Sequence, residues 1–91
     1  MPVLVEMPSA LKQFTCGKDE LSSGGKNVDE VLTELCNEHP ELKQNLYGND
    51  GKIRSFINIY INDEDIRYRN GLASPLNSGD RIQIVPSIAG G

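Results

Sequence analysis

The sequence is poor in the residues that mark several functional classes. It has no tryptophan, one histidine and two cysteines among 91 residues, and its formal net charge is −4. No cluster of lysine and arginine forms a phosphate-binding face, so we expect no nucleic-acid partner. No apolar run approaches the roughly 18 residues of a membrane-spanning helix, and residues 1–6 are too short and too acidic for a signal peptide. We therefore expect a cytoplasmic protein that does not engage a membrane.

The few cysteines and the single histidine argue against a disulfide framework and a metal site. Cys16 and Cys36 are too few for the framework of a small secreted domain, so a reducing compartment and free thiols are expected. Cys36 and His39 have a spacing found in metal sites, but two ligands do not make a structural centre. No base can be paired with Cys16 to make it a nucleophile. We predict no metal ligands and no catalytic residues in this chain.

The composition is that of one soluble globular domain. Hydrophobic residues make up 37% of the chain and charged residues 24%. A domain of this size buries one core and leaves no room for a deep active-site cleft.

One helix is clearly predicted. Asn27 is a good N-cap, and Glu30 stands at the spacing of a capping box. The apolar residues that follow form a single stripe, and Pro40 ends the helix because proline disfavours helical geometry in the residue before it. Residues 41–47 predict a further turn. The stripe consists of Val28, Val31, Leu32, Leu35 and Cys36.

Alternating apolar residues predict five strands. In the run 56–61, three isoleucines point to one face and Phe56, Asn58 and Tyr60 to the other, and we expect this strand to be the central one. Leu72 and Leu76 are predicted to be buried in a connecting segment. The predicted strands are Pro2–Pro8, Lys18–Ser22, Phe56–Ile61, Ile66–Tyr68 and Arg81–Val85.

These elements predict an α+β protein with a β-grasp, ubiquitin-like fold. One main helix packed on one face of a mixed four- to five-stranded sheet buries the apolar stripe of the helix and the apolar faces of the strands in a single core. The helix between the second and third strands allows the two terminal strands to pair in parallel. We expect residues 1–87 to form this domain and residues 88–91 to form a flexible tail.

The tail Ile88-Ala89-Gly90-Gly91 is the predicted functional segment. Gly90 and Gly91 lack Cβ atoms, so they can pass through a channel that any side chain would block. The Gly91 carboxylate can be activated by ATP to an acyl adenylate and then attacked by a nucleophile. We predict that Gly91 carries the chemistry and that Ile88, Ala89 and Gly90 are recognised by the enzymes that act on it.

The sequence resembles the MoaD/ThiS sulfur-carrier proteins over essentially its whole length, and among them it is most similar to the CysO type. The resemblance is strongest from Phe56 onward. It rests on the element order, the final Gly-Gly and four stretches, which are Phe56–Arg67, Gly71-Leu72-Ala73, Gly79-Asp80 and Pro86–Gly91.

The resemblance implies that an E1-like enzyme adenylates Gly91 and that a sulfur donor converts the adenylate to a thiocarboxylate. In the CysO-like version, a PLP-dependent cysteine synthase presents an aminoacrylate to this sulfur, and a metalloprotease releases cysteine. ATP, magnesium, PLP and zinc then belong to partner enzymes, and this chain binds no cofactor and acts only as a co-substrate.

Recognition must also involve the folded domain. Ordering four tail residues costs about 1–2 kcal/mol each in backbone entropy, so contacts to the tail alone give weak binding. Phe56, Asn58 and Tyr60 are the candidate partner surface. Cover packing on a small sheet is an equal alternative for Phe56 and Tyr60.

Four other functions remain open on the sequence. A MoaD-type small subunit would pair with the large subunit of molybdopterin synthase, and a ThiS-type carrier would serve thiazole synthesis. A ubiquitin-like modifier would form isopeptide bonds with lysines of other proteins. A plain interaction module would not use the Gly-Gly end at all.

Overall fold

A computed structural model of the protein describes residues 2–86. The predicted tail residues Ile88, Ala89, Gly90 and Gly91 lie outside the described residues. Three short 3₁₀ helices, at Ser9–Phe14, Ile66–Tyr68 and Gly71–Ala73, join the main elements. The strands and α-helices are β1 Val3–Glu6, β2 Glu20–Ser23, α1 Val28–Glu38, α2 Pro40–Leu46, β3 Ile57–Ile61, β4 Glu64–Asp65 and β5 Arg81–Pro86.

The strands form one five-stranded sheet in the order β2-β1-β5-β3-β4. β1 and β5 pair in parallel, with Val5 opposite Ile82, and the other pairs are antiparallel. The predicted parallel pairing of the terminal strands is therefore confirmed. The prediction that β3 is central was wrong, since β5 holds that place. The isoleucines of β3 indicate a strand buried on one face, and a one-faced apolar pattern does not tell how many neighbours a strand has.

Helix α1 begins and ends where the sequence predicts. The Asn27 Oδ1 atom accepts a hydrogen bond from the Glu30 N–H at 2.8 Å. The Glu30 carboxylate in turn accepts from the Lys26 N–H at 2.9 Å, one residue before the cap. All five residues of the predicted stripe are buried. They join Val5, Ile61 and Ile82 in a single hydrophobic core between the helix and the sheet.

The segment after Pro40 is a complete second helix, where the sequence analysis predicted only a turn. Proline is favoured at the first helical position, because its fixed φ suits the helix and its missing N–H has no partner there. Leu42 and Leu46, four residues apart, are both fully buried. Helix α2 therefore contributes to the same core as α1.

The predicted strand Ile66–Tyr68 was wrong. β4 covers only Glu64–Asp65, and Ile66–Tyr68 forms a 3₁₀ turn. The Asp65 side chain accepts a hydrogen bond from the Arg67 N–H at 2.8 Å, and such a local bond diverts the backbone from the sheet ladder.

Smaller differences concern β2 and the linking segments. β2 begins at Glu20 rather than Lys18, whose N–H bonds the Thr15 carbonyl in a turn. Leu72 and Leu76 pack against the core but are only half-buried. Cys16 is exposed and Cys36 buried, and both are free thiols.

Candidate docking face and tail root

The central strand leads to the tail. β5 lies between β1 and β3, and its last residue, Pro86, is opposite Ile57. β5 pairs with β1 over Arg81–Gln83 and with β3 over Ile82–Pro86, so its first part is held on both sides and its last three residues on the β3 side. The strand that precedes residues 87–91 is therefore anchored in the middle of the sheet and ends against β3.

The sheet has an outer face, defined here as the face turned away from α1. Along β3 the inward side chains of Ile57, Ile59 and Ile61 are buried, and the intervening Asn58 and Tyr60 are half-buried. Phe56 immediately precedes β3 and is 39% exposed. The structure therefore places Asn58 and Tyr60 together on the outer face. It also shows that Phe56 is not a core residue.

Strand β5 adds two outer-face residues that the sequence analysis did not select. Val85 lies opposite Asn58, and Gln83 lies opposite Tyr60. Val85 is 41% exposed. The alternation that turns Ile82 and Ile84 inward also turns Gln83 and Val85 outward, so this pattern could have identified them.

An ion pair at the β4 end fixes a guanidinium beside Asn58. Arg67 Nη2 is 2.7 Å from Asp65 Oδ2 and 3.0 Å from Asn58 Oδ1. The hydrogen bonds from Arg67 lower the pKa of Asp65, and Asp65 raises the pKa of Arg67. Tyr68 follows and is 83% exposed. No pattern in the sequence pointed to this pair, since it depends on the turn after β4.

The opposite end of the outer face carries charged residues on β1, β2 and β5. Glu6 pairs with Glu20 on one side and with Gln83 on the other. Arg81 Nε lies 3.7 Å from Glu6 Oε2, an ion pair too long to be a hydrogen bond. The outer face therefore carries Glu6 and Glu20 over β1 and β2, the exposed Val85 on β5, and the Arg67 guanidinium at the β4 end, and the exposed Phe56 immediately precedes β3.

A cleft beside α1 is open to solvent. It lies between α1 and the segment 43–51, has a volume of about 500 Å³, and Cys36, Lys43 and Tyr47 are among its lining residues. Burial, with smaller contributions from Cys36 and Asp29, raises the pKa of Tyr47 to about 12. Within residues 2–86, no three His, Cys, Asp or Glu side chains are grouped to hold a metal ion. No helix in the same range is long and apolar enough to cross a membrane.

The sheet order, the parallel terminal strands and the helix across one face define a ubiquitin-like β-grasp protein. The model of the ThiS family matches residues 5–91. The chain belongs to the ThiS family.

Two relatives match along their whole length. The chain is 36% identical to the sulfur carrier protein CysO of Mycobacterium tuberculosis over 93 residues, covering 100% of both chains. It is 30% identical to a putative sulfur carrier protein of Archaeoglobus fulgidus, again covering 100% of both. The chain is thus homologous to CysO sulfur carriers.

Solved structures show the same fold. The chain is similar to a chain of the BexX/CysO complex of Amycolatopsis orientalis, with a TM-score of 0.88, 35% identity and coverage of 98% of this chain and 99% of that one. It is also similar to small archaeal modifier protein 1 of Methanosarcina acetivorans, with a TM-score of 0.88, 31% identity and coverage of 99% and 96%.

Proposed function

We propose that this protein carries sulfur as a thiocarboxylate on Gly91. The observation that carries the proposal is the full-length homology to CysO sulfur carriers on a β-grasp domain. In the reaction, the Gly91 carboxylate attacks the α-phosphorus of ATP and releases pyrophosphate. A sulfur donor then displaces AMP from the acyl adenylate and leaves the thiocarboxylate. The chain supplies the acyl group, and an E1-like enzyme supplies the catalysis.

The sulfur acceptor that we favour is an aminoacrylate on a PLP-dependent cysteine synthase, so that the product is cysteine. The 36% identity to a CysO carrier supports this acceptor over a molybdopterin synthase large subunit. ATP, magnesium, PLP and zinc are bound by the partner enzymes, and this chain needs no catalytic residue or cofactor of its own. We propose that the protein works in the cytoplasm together with these enzymes.

The outer face at the tail root is the proposed docking surface. Val85 on β5 and Phe56 immediately before β3 both expose apolar area. Asn58 and Tyr60 extend this surface along β3, and Arg67 is held in place beside Asn58. A prepositioned arginine next to aromatic side chains is the composition found where protein interfaces bind most strongly.

The mass of the intact protein tests the carrier function. The protein is co-expressed with the E1-like enzyme and the sulfur donor of its source organism and is then weighed. We expect the mass to rise by the exchange of one oxygen for sulfur. A variant that lacks Gly91 should show no such species. If the native protein never acquires sulfur under these conditions, the carrier proposal is wrong.

The similarity to small archaeal modifier protein 1 supports a second candidate, a protein modifier joined through Gly91 to lysines of other proteins. This function predicts high-mass conjugates on a denaturing gel that disappear when Gly91 is deleted. Conjugates without any sulfur-bearing protein would favour the modifier over the carrier.

A further inference from the structure

We propose that the free edge of β3 binds an extended, acidic peptide segment of a partner protein, which joins the sheet as an additional strand. The site consists of this edge and the groove beside it. It adjoins the outer face at Asn58 and Arg67, which also line the groove, and the proposal does not depend on the carrier function.

In the described range, the edge of β3 that faces away from β5 is unpaired along residues 57–59. β4 pairs only with Tyr60 and Ile61, so among residues 2–86 the segment 57–59 has a strand partner only on its β5 side. In an antiparallel pair, every second residue turns both its N–H and its C=O toward the same neighbouring strand. The Asn62 N–H donates to the Arg81 carbonyl, so the even-numbered residues of β3 turn their backbone groups toward β5. Ile57 and Ile59 therefore turn theirs toward the free edge.

Two backbone groups on that edge can receive a new strand. The Ile57 N–H is already bonded to the Arg54 carbonyl at 3.0 Å. The carbonyl of Ile57 and the N–H of Ile59 have no strand partner within the described part of the chain. An acceptor and a donor two residues apart match the two backbone groups of one residue in an incoming parallel strand.

A groove of about 350 Å³ runs beside this edge, between β3 and the segment that follows β4. Its apolar lining includes the buried Ile66 and the half-buried Ile53 and Leu72. Alternate side chains of a bound strand point to one face of the sheet and would enter this groove. Apolar residues at every second position of the partner segment therefore fit the site.

The charge at the groove favours carboxylates on the partner. The Arg54 guanidinium is held by two hydrogen bonds to the Gln44 carbonyl, at 2.8 Å from Nη2 and 3.3 Å from Nε. Arg54 makes no ion pair with any of residues 2–86. Arg67 also lines the groove, but Asp65 already neutralises it. The net charge of −4 repels an acidic peptide, but this repulsion acts over longer distances and is screened by salt. Arg54 would contact the peptide directly.

A peptide titration followed by NMR tests the site. The probe is an acetylated, amidated heptapeptide of alternating valine and glutamate, added to the ¹⁵N-labelled full-length protein at up to millimolar concentration. We expect the amide signals of Ile57, Ile59 and Leu72 to shift and the exchange of the Ile59 N–H with solvent to slow. Two control peptides carry lysine in place of glutamate, or backbone N-methyl groups at alternate residues. Each should bind about tenfold more weakly or worse.

Two matched charge-reversal variants test whether Arg54 contributes to peptide binding. Arg54→Glu should weaken binding of the valine-glutamate peptide about tenfold. Lys18→Glu makes the same change of charge near the opposite edge of the sheet and should alter the affinity by less than about twofold. The proposal is overturned if the peptide leaves the β3 amide signals unmoved, if the N-methylated peptide binds equally well, or if the two variants behave alike.

Discussion

Gly25 lies in the link between β2 and α1, where the backbone approaches the helix closely. A Cβ at Gly25 would be 2.7 Å from Val31 Cγ2 and 2.8 Å from the Val31 backbone nitrogen. Because the backbone of a buried helix cannot move away freely, we expect Gly25→Ala to lower the free energy of unfolding by about 1–3 kcal/mol. Urea denaturation measures the loss.

Gly24→Ala is the matched control for this prediction, because a Cβ at Gly24 has no neighbour within 4 Å. Its unfolding midpoint should remain at or above that of the native protein. Equal losses in the two variants would show that backbone freedom, and not contact with Val31, explains the effect.

The cap of α1 is a second test at the scale of one residue. Asn27→Ala removes the acceptor for the Glu30 N–H, and we expect it to lower the free energy of unfolding by about 1 kcal/mol. Asn27→Asp keeps an acceptor oxygen and should retain most of the stability in the same urea experiment. A loss in Asn27→Asp as large as in Asn27→Ala would contradict the capping role.

The pH dependence of stability should reveal the Asp65–Arg67 pair. Its hydrogen bonds lower the folded-state pKa of Asp65 below the ordinary 3.8. The stabilisation is therefore complete above pH 3.8 and is lost as the pH falls through the lower folded-state pKa. Asp65→Asn should remove this contribution, so its urea midpoint and that of the native protein should converge as the pH falls below 3.8. A difference that stays constant with pH would refute the assignment.

These residue-level features differ in how visible they were in the sequence. The cap of α1 was predictable, because Asn27 and Glu30 act within one helical turn and their spacing defines the interaction. The Asp65–Arg67 pair was not, because it requires that the chain leave the sheet after Asp65. The need for glycine at position 25 was also not predictable from the sequence, since it depends on how closely the link approaches Val31.

At the scale of elements, α2 is the clearest addition to the prediction. Leu46 is fully buried in the common core, so Leu46→Ala should lower the free energy of unfolding by about 2–5 kcal/mol. The exposed neighbour Lys43 serves as the control, and Lys43→Ala should change stability by less than about 0.5 kcal/mol. Circular dichroism during thermal unfolding measures both. Similar melting curves for the two variants would mean that α2 is peripheral.

Helices and strands with a long periodic pattern of apolar residues were predicted correctly, and two with a short pattern, α2 and β4, were not. α1 presents five apolar residues in one stripe, and β3 and β5 present clean alternation, so their type and faces were predicted correctly. α2 has only two apolar residues in seven, too few to establish a helical period. β4 has two residues and therefore no period, which is why the predicted strand was placed in the turn that follows it.

At the scale of the whole molecule, we expect the stability of the fold and the formation of the thiocarboxylate to depend on different parts of the chain. Among residues 2–86, the buried core residues all fall within residues 3–84. Deleting Gly90 and Gly91 should therefore leave the unfolding midpoint unchanged and abolish formation of the sulfur-bearing species. Thermal unfolding and intact mass measure the two effects on one sample. A deletion that lowered stability would mean that the tail takes part in the fold.

The architecture was largely predictable, but which strand lies at the centre of the sheet was not. The order of strands and helix along the chain led to a β-grasp with parallel terminal strands, and this is confirmed. Which strand is central depends on pairing between distant segments, and the apolar pattern of a strand does not encode it. Gly91 lies outside the described residues, so its role stays a prediction that the family supports.

The central place of β5 also bears on how the protein forms during synthesis. β1 and β3 are joined in the sheet only through β5, which follows every other strand in the chain. A nascent chain whose β5 is still inside the ribosome can therefore form the two β-hairpins and the helices, but it lacks the strand that joins the hairpins into one sheet. The five-stranded sheet is completed only after this segment has left the ribosome.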